Sequence, residues 1–155
     1  MRPNRSAPEA SPAEVAVRLL ARREHSRREL RLKLEARGFD AAAITPALDE
    51  LERQGLLSEA RFVESYVRSR REKGFGPLRI GAELREKGVS GALIDRHLDP
   101  GDPEWLSRAR ALHARRYPEG VTGDRKELAR RLRFLTGRGF STGVAWAAMG
   151  HDCEA

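Results

Sequence analysis

One phrase occurs three times in this chain, as Arg37-Gly38-Phe39-Asp40, Lys87-Gly88-Val89-Ser90 and Arg138-Gly139-Phe140-Ser141. The glycines lie about 50 residues apart, a period that marks a tandem array of like units. Each phrase has the same physical content. A cation closes one helix and complements its negative end. Gly then takes the left-handed conformation that a side chain resists, and an apolar residue folds back onto the last turn. Asp or Ser caps the helix that follows. A helix–turn–helix joint used three times requires an array of small helical units, which offers a binding surface more readily than a single catalytic pocket.

Units of roughly 40–50 residues are too small to be stable alone and must lean on their neighbours. Charged residues make up 34% of the chain and aromatics 6%, a balance that suits exposed helices better than sheets. The net charge of +7 points to polyanions or acidic protein surfaces as partners. The excess is spread along the chain and is largest over residues 57–98, as fits a binder lying along something extended. The lone cysteine, Cys153, forms no internal disulfide, which fits a reducing compartment. No apolar run approaches the ~18 residues of a membrane span. The start, Met1-Arg2-Pro3-Asn4-Arg5-Ser6-Ala7-Pro8, lacks the apolar core of a signal peptide. The chain therefore reads as cytosolic, with no membrane partner.

Capping signals divide the chain into a disordered tail over 1–10 and three-helix repeats over 11–56, 57–99 and 100–155. Ser11-Pro12-Ala13-Glu14 opens the first helix, with Val15, Leu19 and Leu20 inward. Ser26 and Glu29 have capping-box spacing ahead of Leu30 and Leu34. Asp40 caps a third helix ending near Gly55, in which Pro46 predicts a later start or a kink. Ser58 starts the second repeat, and Gly74-Phe75-Gly76-Pro77 breaks it before Ile80 and Leu84. Asp102-Pro103-Glu104 opens the third, Pro118 to Gly123 is a turn-rich break, and Asp124 with Glu127 again has capping-box spacing. Leu30, Leu34, Phe39, Ile44 and Leu48 align with Ile80, Leu84, Val89, Ile94 and Leu98. The third repeat is looser, with Arg131 at an apolar position and Ala145 in place of isoleucine. The expected fold is all-α: nine helices in three tandem three-helix repeats, without strands.

Nothing in the sequence has the pattern of an enzyme. There is no Walker-type phosphate loop, and Gly74-Phe75-Gly76 lacks the spacing and the preceding strand of a dinucleotide fingerprint. The histidines are scattered, and His151 with Cys153 reads as a frayed terminus, so neither a cofactor nor a metal site is expected. The candidate binding residues are cations. Arginine pairs stand near the end of each repeat's first helix, at Arg22-Arg23, Arg70-Arg71 and Arg115-Arg116. Around the Gly-Phe-Gly-Pro turn, Arg68, Arg70, Arg71, Lys73, Arg79 and Lys87 form a basic ridge, with Lys126 and Arg130 alongside Arg115 and Arg116 as a second group. Arginine's planar fork suits phosphate and carboxylate. If these cations are exposed, reversing Arg71 and Arg79 leaves folding nearly intact. Phe75 is the one aromatic expected to be exposed; the other rings fall on apolar stripes, leaving few for base stacking.

The three joints, the opening Leu20-Ala21-Arg22-Arg23-Glu24-His25-Ser26-Arg27-Arg28-Glu29-Leu30, and the segments Ala60-Arg61-Phe62-Val63-Glu64-Ser65-Tyr66-Val67-Arg68 and Gly74-Phe75-Gly76-Pro77-Leu78-Arg79-Ile80 together resemble the RecX family of bacterial recombination regulators. Gly55-Leu56-Leu57 before Ser58 and Arg133-Phe134-Leu135 before Arg138 belong to the same pattern, which runs from about residue 13 to 150. The resemblance implies three three-helix repeats in an elongated, curved array. It implies a non-enzymatic regulator that lodges on the RecA–single-stranded-DNA filament and suppresses its ATPase, strand-exchange and co-protease activities, in recombination, repair and the SOS response. The alternative is a helix-turn-helix protein that reads DNA directly. Such a reader concentrates polar base-reading residues on one helix and dimerises on two half-sites. Here the middle helices mix Glu with Arg and no dimerisation heptad appears, so a monomer that binds bare DNA weakly and without sequence preference is expected.

Overall fold

The computed structural model describes residues 10–151. Among these, nine helices and no strands are found: α1 Pro12–Arg22, α2 Arg27–Ala36, α3 Ala41–Arg53, α4 Glu59–Glu72, α5 Pro77–Glu86, α6 Gly91–His97, α7 Glu104–Arg116, α8 Arg125–Gly137 and α9 Thr142–Ala148. The tail expected to be disordered (apart from Ala10) and Cys153 lie outside the described residues. The chain divides inside α4 into two compact units, one reaching Phe62 and one starting at Val63.

All three repeated phrases fold alike. Gly38, Gly88 and Gly139 have φ of +94°, +81° and +101°. At each, the glycine N–H and the next residue's N–H return to the end of the preceding helix. Gly38 donates to Glu35 and Phe39 to Leu34, Gly88 to Arg85 and Val89 to Leu84, Gly139 to Thr136 and Phe140 to Leu135. These paired bonds satisfy carbonyls that a helix end leaves free. The following helix is then capped: Asp40 accepts from the N–H of Ala43, Ser90 from Leu93 and Ser141 from Val144.

In the first unit, Val15, Ala16, Leu30, Leu34, Ile44, Leu48, Leu51 and Leu57 form one core, with Leu19, Leu20 and Phe39 packed against it. Ser11 and Glu14 make a complete capping box at α1. Ser26 caps α2, and Glu29 pairs with the Arg23 guanidinium at 2.8 Å. The later start expected from Pro46 is not found: α3 begins directly after Asp40 and contains Pro46. The cap at Asp40 fixes the first turn, and proline withdraws only one bond from the turn beyond it. The start of α4 closes this unit, with Glu59 accepting from the Arg27 N–H at 2.7 Å and Arg61 paired to Glu24 at 2.9 Å.

In the second unit the turn between α4 and α5 meets the joint between α8 and α9 backbone to backbone. The Gly76 N–H donates to the Arg138 carbonyl at 2.7 Å, and the Leu78 N–H to the Gly139 carbonyl at 3.0 Å. Gly76 has an ordinary φ of −94°, so closeness, not conformation, selects glycine there. Trp105 is buried edge-on to Phe140 and donates its indole N–H to the Asp99 carbonyl. Ala145, Ala148 and Met149 bury one side of α9, while Trp146 stays half-buried against the His151 ring. Asp124 does not cap α8 with its side chain; its N–H donates to the Thr122 hydroxyl, and Glu127 is turned to Arg130 and Arg131.

Arg131, the departure from the repeat pattern, is 2% exposed and lies inside the third repeat. It donates to the Gly120 carbonyl at 2.5 Å, to Glu119 and Glu127 at 3.1 Å each, and to His113 Nε2 at 3.2 Å. Since a guanidinium only donates, the buried His113 must be neutral and accept at Nε2. Burial first, and then the Arg131 charge, lower its pKa below 6.5. His25 in the first unit is built likewise: Nδ1 donates to the Arg23 carbonyl and Nε2 accepts from Lys33. Its pKa is also lowered, chiefly by burial. An unfolded chain takes up these protons near pH 6.5, the folded chain only lower. Stability from both histidines is therefore complete above 6.5 and is lost as pH falls from there toward the folded values. Denaturant midpoints at pH 7.5 and 5.5 should show this loss, and His113→Gln, which keeps an acceptor, should reduce it.

Candidate functional site: a basic surface around the Gly-Phe-Gly-Pro turn

Gly74, at φ +89°, ends α4, and Pro77 at the first position of α5 restarts the chain. Between them Phe75 is half-buried, which corrects its expected exposure. Three guanidinium groups enclose it: Arg70 at 3.7 Å from the ring centroid, Arg79 at 4.5 Å and Arg138 at 4.8 Å. Glu83 is the counter-charge. It accepts from the Tyr66 hydroxyl, from Arg70 at 2.6 Å and from Arg79 at 3.1 Å. Burial alone would raise the Glu83 pKa, but these hydrogen bonds outweigh it and hold it below the usual carboxylate value.

The ridge read from the sequence thus divides in two. Arg70 and Arg71 are only 20% and 25% exposed. Arg71 lies over the Trp105 ring at 4.7 Å and pairs with Glu104. Arg79, 46% exposed, also donates to the Gly137 carbonyl. Reversing Arg71 and Arg79 would put carboxylates against Glu104 and Glu83, so that pair of substitutions is not neutral to folding. Lys87 lies 5.5 Å from the Tyr66 ring. Arg68 and Lys73 are exposed and have no ion pair among the described residues. Arg68 borders a shallow groove with Glu64, Val67, Arg71 and His97.

In the second group, Arg115 and Lys126 are exposed without an ion pair among the described residues. Arg130 pairs with Glu127. Arg116 lies 5.1 Å from the Tyr117 ring and 5.9 Å from that of Phe134. Sequence reasoning missed Arg138, which it read only as a complement to a helix end, and the place of Glu83 between Arg70 and Arg79. The i to i+4 spacing of Arg79 and Glu83 was the available signal. Among the described residues no group of three or more His, Cys, Asp or Glu could hold a metal, and no helix is long and apolar enough to cross a membrane.

Comparison with known proteins covers nearly the whole chain. Family models described as the first, second and third three-helix domains of RecX match residues 14–51, 58–98 and 102–149. The regulatory protein RecX of Halorhodospira halophila is 49% identical over 135 residues, 87% of this chain and 84% of the relative. That of Chromohalobacter salexigens is 42% identical over 149 residues, 96% and 97% of the two chains. A crystal structure of regulatory protein RecX superposes with a TM-score of 0.77 at 25% identity, covering 90% of this chain and 71% of that one. RecX from Lactobacillus salivarius gives 0.75 at 21% identity over 90% and 92%, a likeness of fold.

Proposed function

The chain belongs to the RecX family of regulatory proteins, and from that premise we propose that it binds the RecA filament on single-stranded DNA and inhibits its ATPase, strand-exchange and co-protease activities. In this reading it is a non-enzymatic monomer of the cytosol, needs no cofactor, and tempers recombination and repair. The observation that supports it most is the match of all three domains in order along one chain.

The charge distribution supports the same reading. A nucleoprotein filament presents acidic protein and phosphate together, and cations already engaged in ion pairs contribute little to meeting them. Arg68, Lys73, Arg115 and Lys126 are left free for such a partner among the described residues. Arg70 and Arg79 hold the turn through Glu83, and Arg71 pairs with Glu104.

Co-sedimentation with preformed recombinase filaments, beside the same strand without recombinase, tests this directly. The protein should pellet with the filament at concentrations where the bare strand holds little of it. Bare-strand binding should be steeply salt-dependent and indifferent to sequence. A footprint at one palindromic site, persisting at physiological salt, would contradict the proposal in favour of a direct DNA reader.

A further inference from the structure

The last turns of α7, the loop after it and the end of α9 border an open cleft of about 370 Å³. A volume of this size suits a small ligand, and such sites combine apolar walls with a few placed polar groups. The walls here include the Tyr117 ring, Val121, Ala147 and Met149, with Val121 68% exposed at the rim. The polar side chains stand on one face of α7: Arg110, and His113 three residues on. No Asp or Glu is found among the described residues that line the cleft.

His113 carries an unused donor into this cleft. Its Nε2 accepts from Arg131, so the ring proton sits on Nδ1. The side chain is 6% exposed, yet that N–H meets no acceptor among the described residues. Nδ1 is not sealed among protein atoms, so the exposure it keeps is toward the cleft that His113 lines. A buried donor left unpaired is costly, and Arg131 already fixes the tautomer that presents it. Arg110 is exposed and has no ion pair among the described residues, so the acceptor it favours is an anion. Carbonyls at the end of α9 that would repel one are already paired. Those of Ala145, Trp146 and Ala147 accept from the N–H groups of Met149, His151 and Gly150. A phosphodiester would set polar sugars against the apolar walls, whereas a carboxylate on a hydrocarbon body satisfies walls and donors together. We propose that the cleft is a binding site for a small apolar carboxylic acid. Its carboxylate is taken by His113 Nδ1 and Arg110, and its hydrocarbon lies against Val121, Ala147 and Met149. The site lies within one unit and does not rest on the filament reading.

The test titrates phenylacetate into the isotope-labelled full chain and follows the backbone amide resonances. Those of Ala114, Val121, Ala147 and Gly150 should move saturably, with a Kd on the order of 1 mM for about ten non-hydrogen atoms. Phenethyl alcohol keeps the ring without the charge, and acetate keeps the charge without the ring. Each should bind at least about tenfold more weakly. Arg110→Gln, on an exposed side chain, should weaken phenylacetate about tenfold and leave phenethyl alcohol unchanged. Ala147→Leu should fill the cleft and remove binding of both. Should that variant fail to fold, Arg110→Gln alone decides. The absence of saturable shifts at about 10 mM phenylacetate overturns the proposal, as does a folded Arg110→Gln chain that binds as tightly as the parent. Acetate moving the same amides to the same extent would show an adventitious ion only, and overturns it equally. None of these readouts involves a recombinase filament, so this site and the filament reading fail separately.

Discussion

Arg131→Ala should destabilise the chain by about 3–5 kcal/mol, the range for removing one partner from a buried ionic network. The loss follows from what the guanidinium holds together. From α8, where it pairs with Glu127 one turn back, it reaches the loop at Glu119 and Gly120 and His113 of α7, while its carbon lies 4.4 Å from the Tyr117 ring centroid. Without it, a carbonyl, an imidazole nitrogen and part of a carboxylate lose their donor, and a cavity opens in the third repeat. Arg131→Met should lose less, because its methylenes still fill the volume. Equilibrium unfolding in urea checks both variants. A loss under about 1 kcal/mol for the alanine variant would mean that the network does not hold the repeat together.

Gly139→Ala and Gly76→Ala should each destabilise by about 2–4 kcal/mol, through overpacking and, at Gly139, backbone strain as well. A methyl on Gly139 would lie 2.7 Å from the Arg79 nitrogen and 2.9 Å from the Gly76 carbonyl oxygen. One on Gly76 would lie 2.5 Å from the Gly139 carbonyl and 2.6 Å from the Phe140 nitrogen. Those neighbours are backbone, so the two segments must separate and lose both hydrogen bonds between them. Gly38 is the internal control. Its φ is equally positive, but nothing lies within 4 Å of its added methyl, so Gly38→Ala should cost only about 1 kcal/mol. Equal losses at Gly38 and Gly139 would show that conformation alone governs the joints.

That contrast also shows what the sequence makes legible. The joints at Gly38, Gly88 and Gly139 are local: the cation, glycine, apolar residue and cap lie within four positions, and the helices they end and begin follow directly. The close approach of Gly76 to Gly139 joins residues far apart in sequence, so no local pattern announces it. Arg131 reads as a break in an apolar stripe because only Glu127 of its partners is on its own helix, while Glu119, Gly120 and His113 come from a loop and from α7. Phe75 reads as exposed for the same reason: Arg138 reaches it from the joint between α8 and α9. Asp124 has cap spacing, yet Glu127 is drawn away by arginines on its own helix. Residue types and caps were readable, whereas the division of the basic ridge into engaged and free cations depends on tertiary partners.

In the proposed function this chain regulates a recombinase filament through the cations left free among the described residues. ATP hydrolysis by preformed RecA filaments on single-stranded DNA, followed while this protein is titrated in, tests it most directly. The rate should decay toward a low plateau with the parent chain. With Arg68→Glu and Lys73→Glu together it should decay only at roughly tenfold higher concentration, the fold remaining intact because neither side chain has an ion pair to lose among the described residues. A rate unchanged at saturating parent protein would contradict the claim; inhibition by the double variant as strong as the parent's would remove these cations from it.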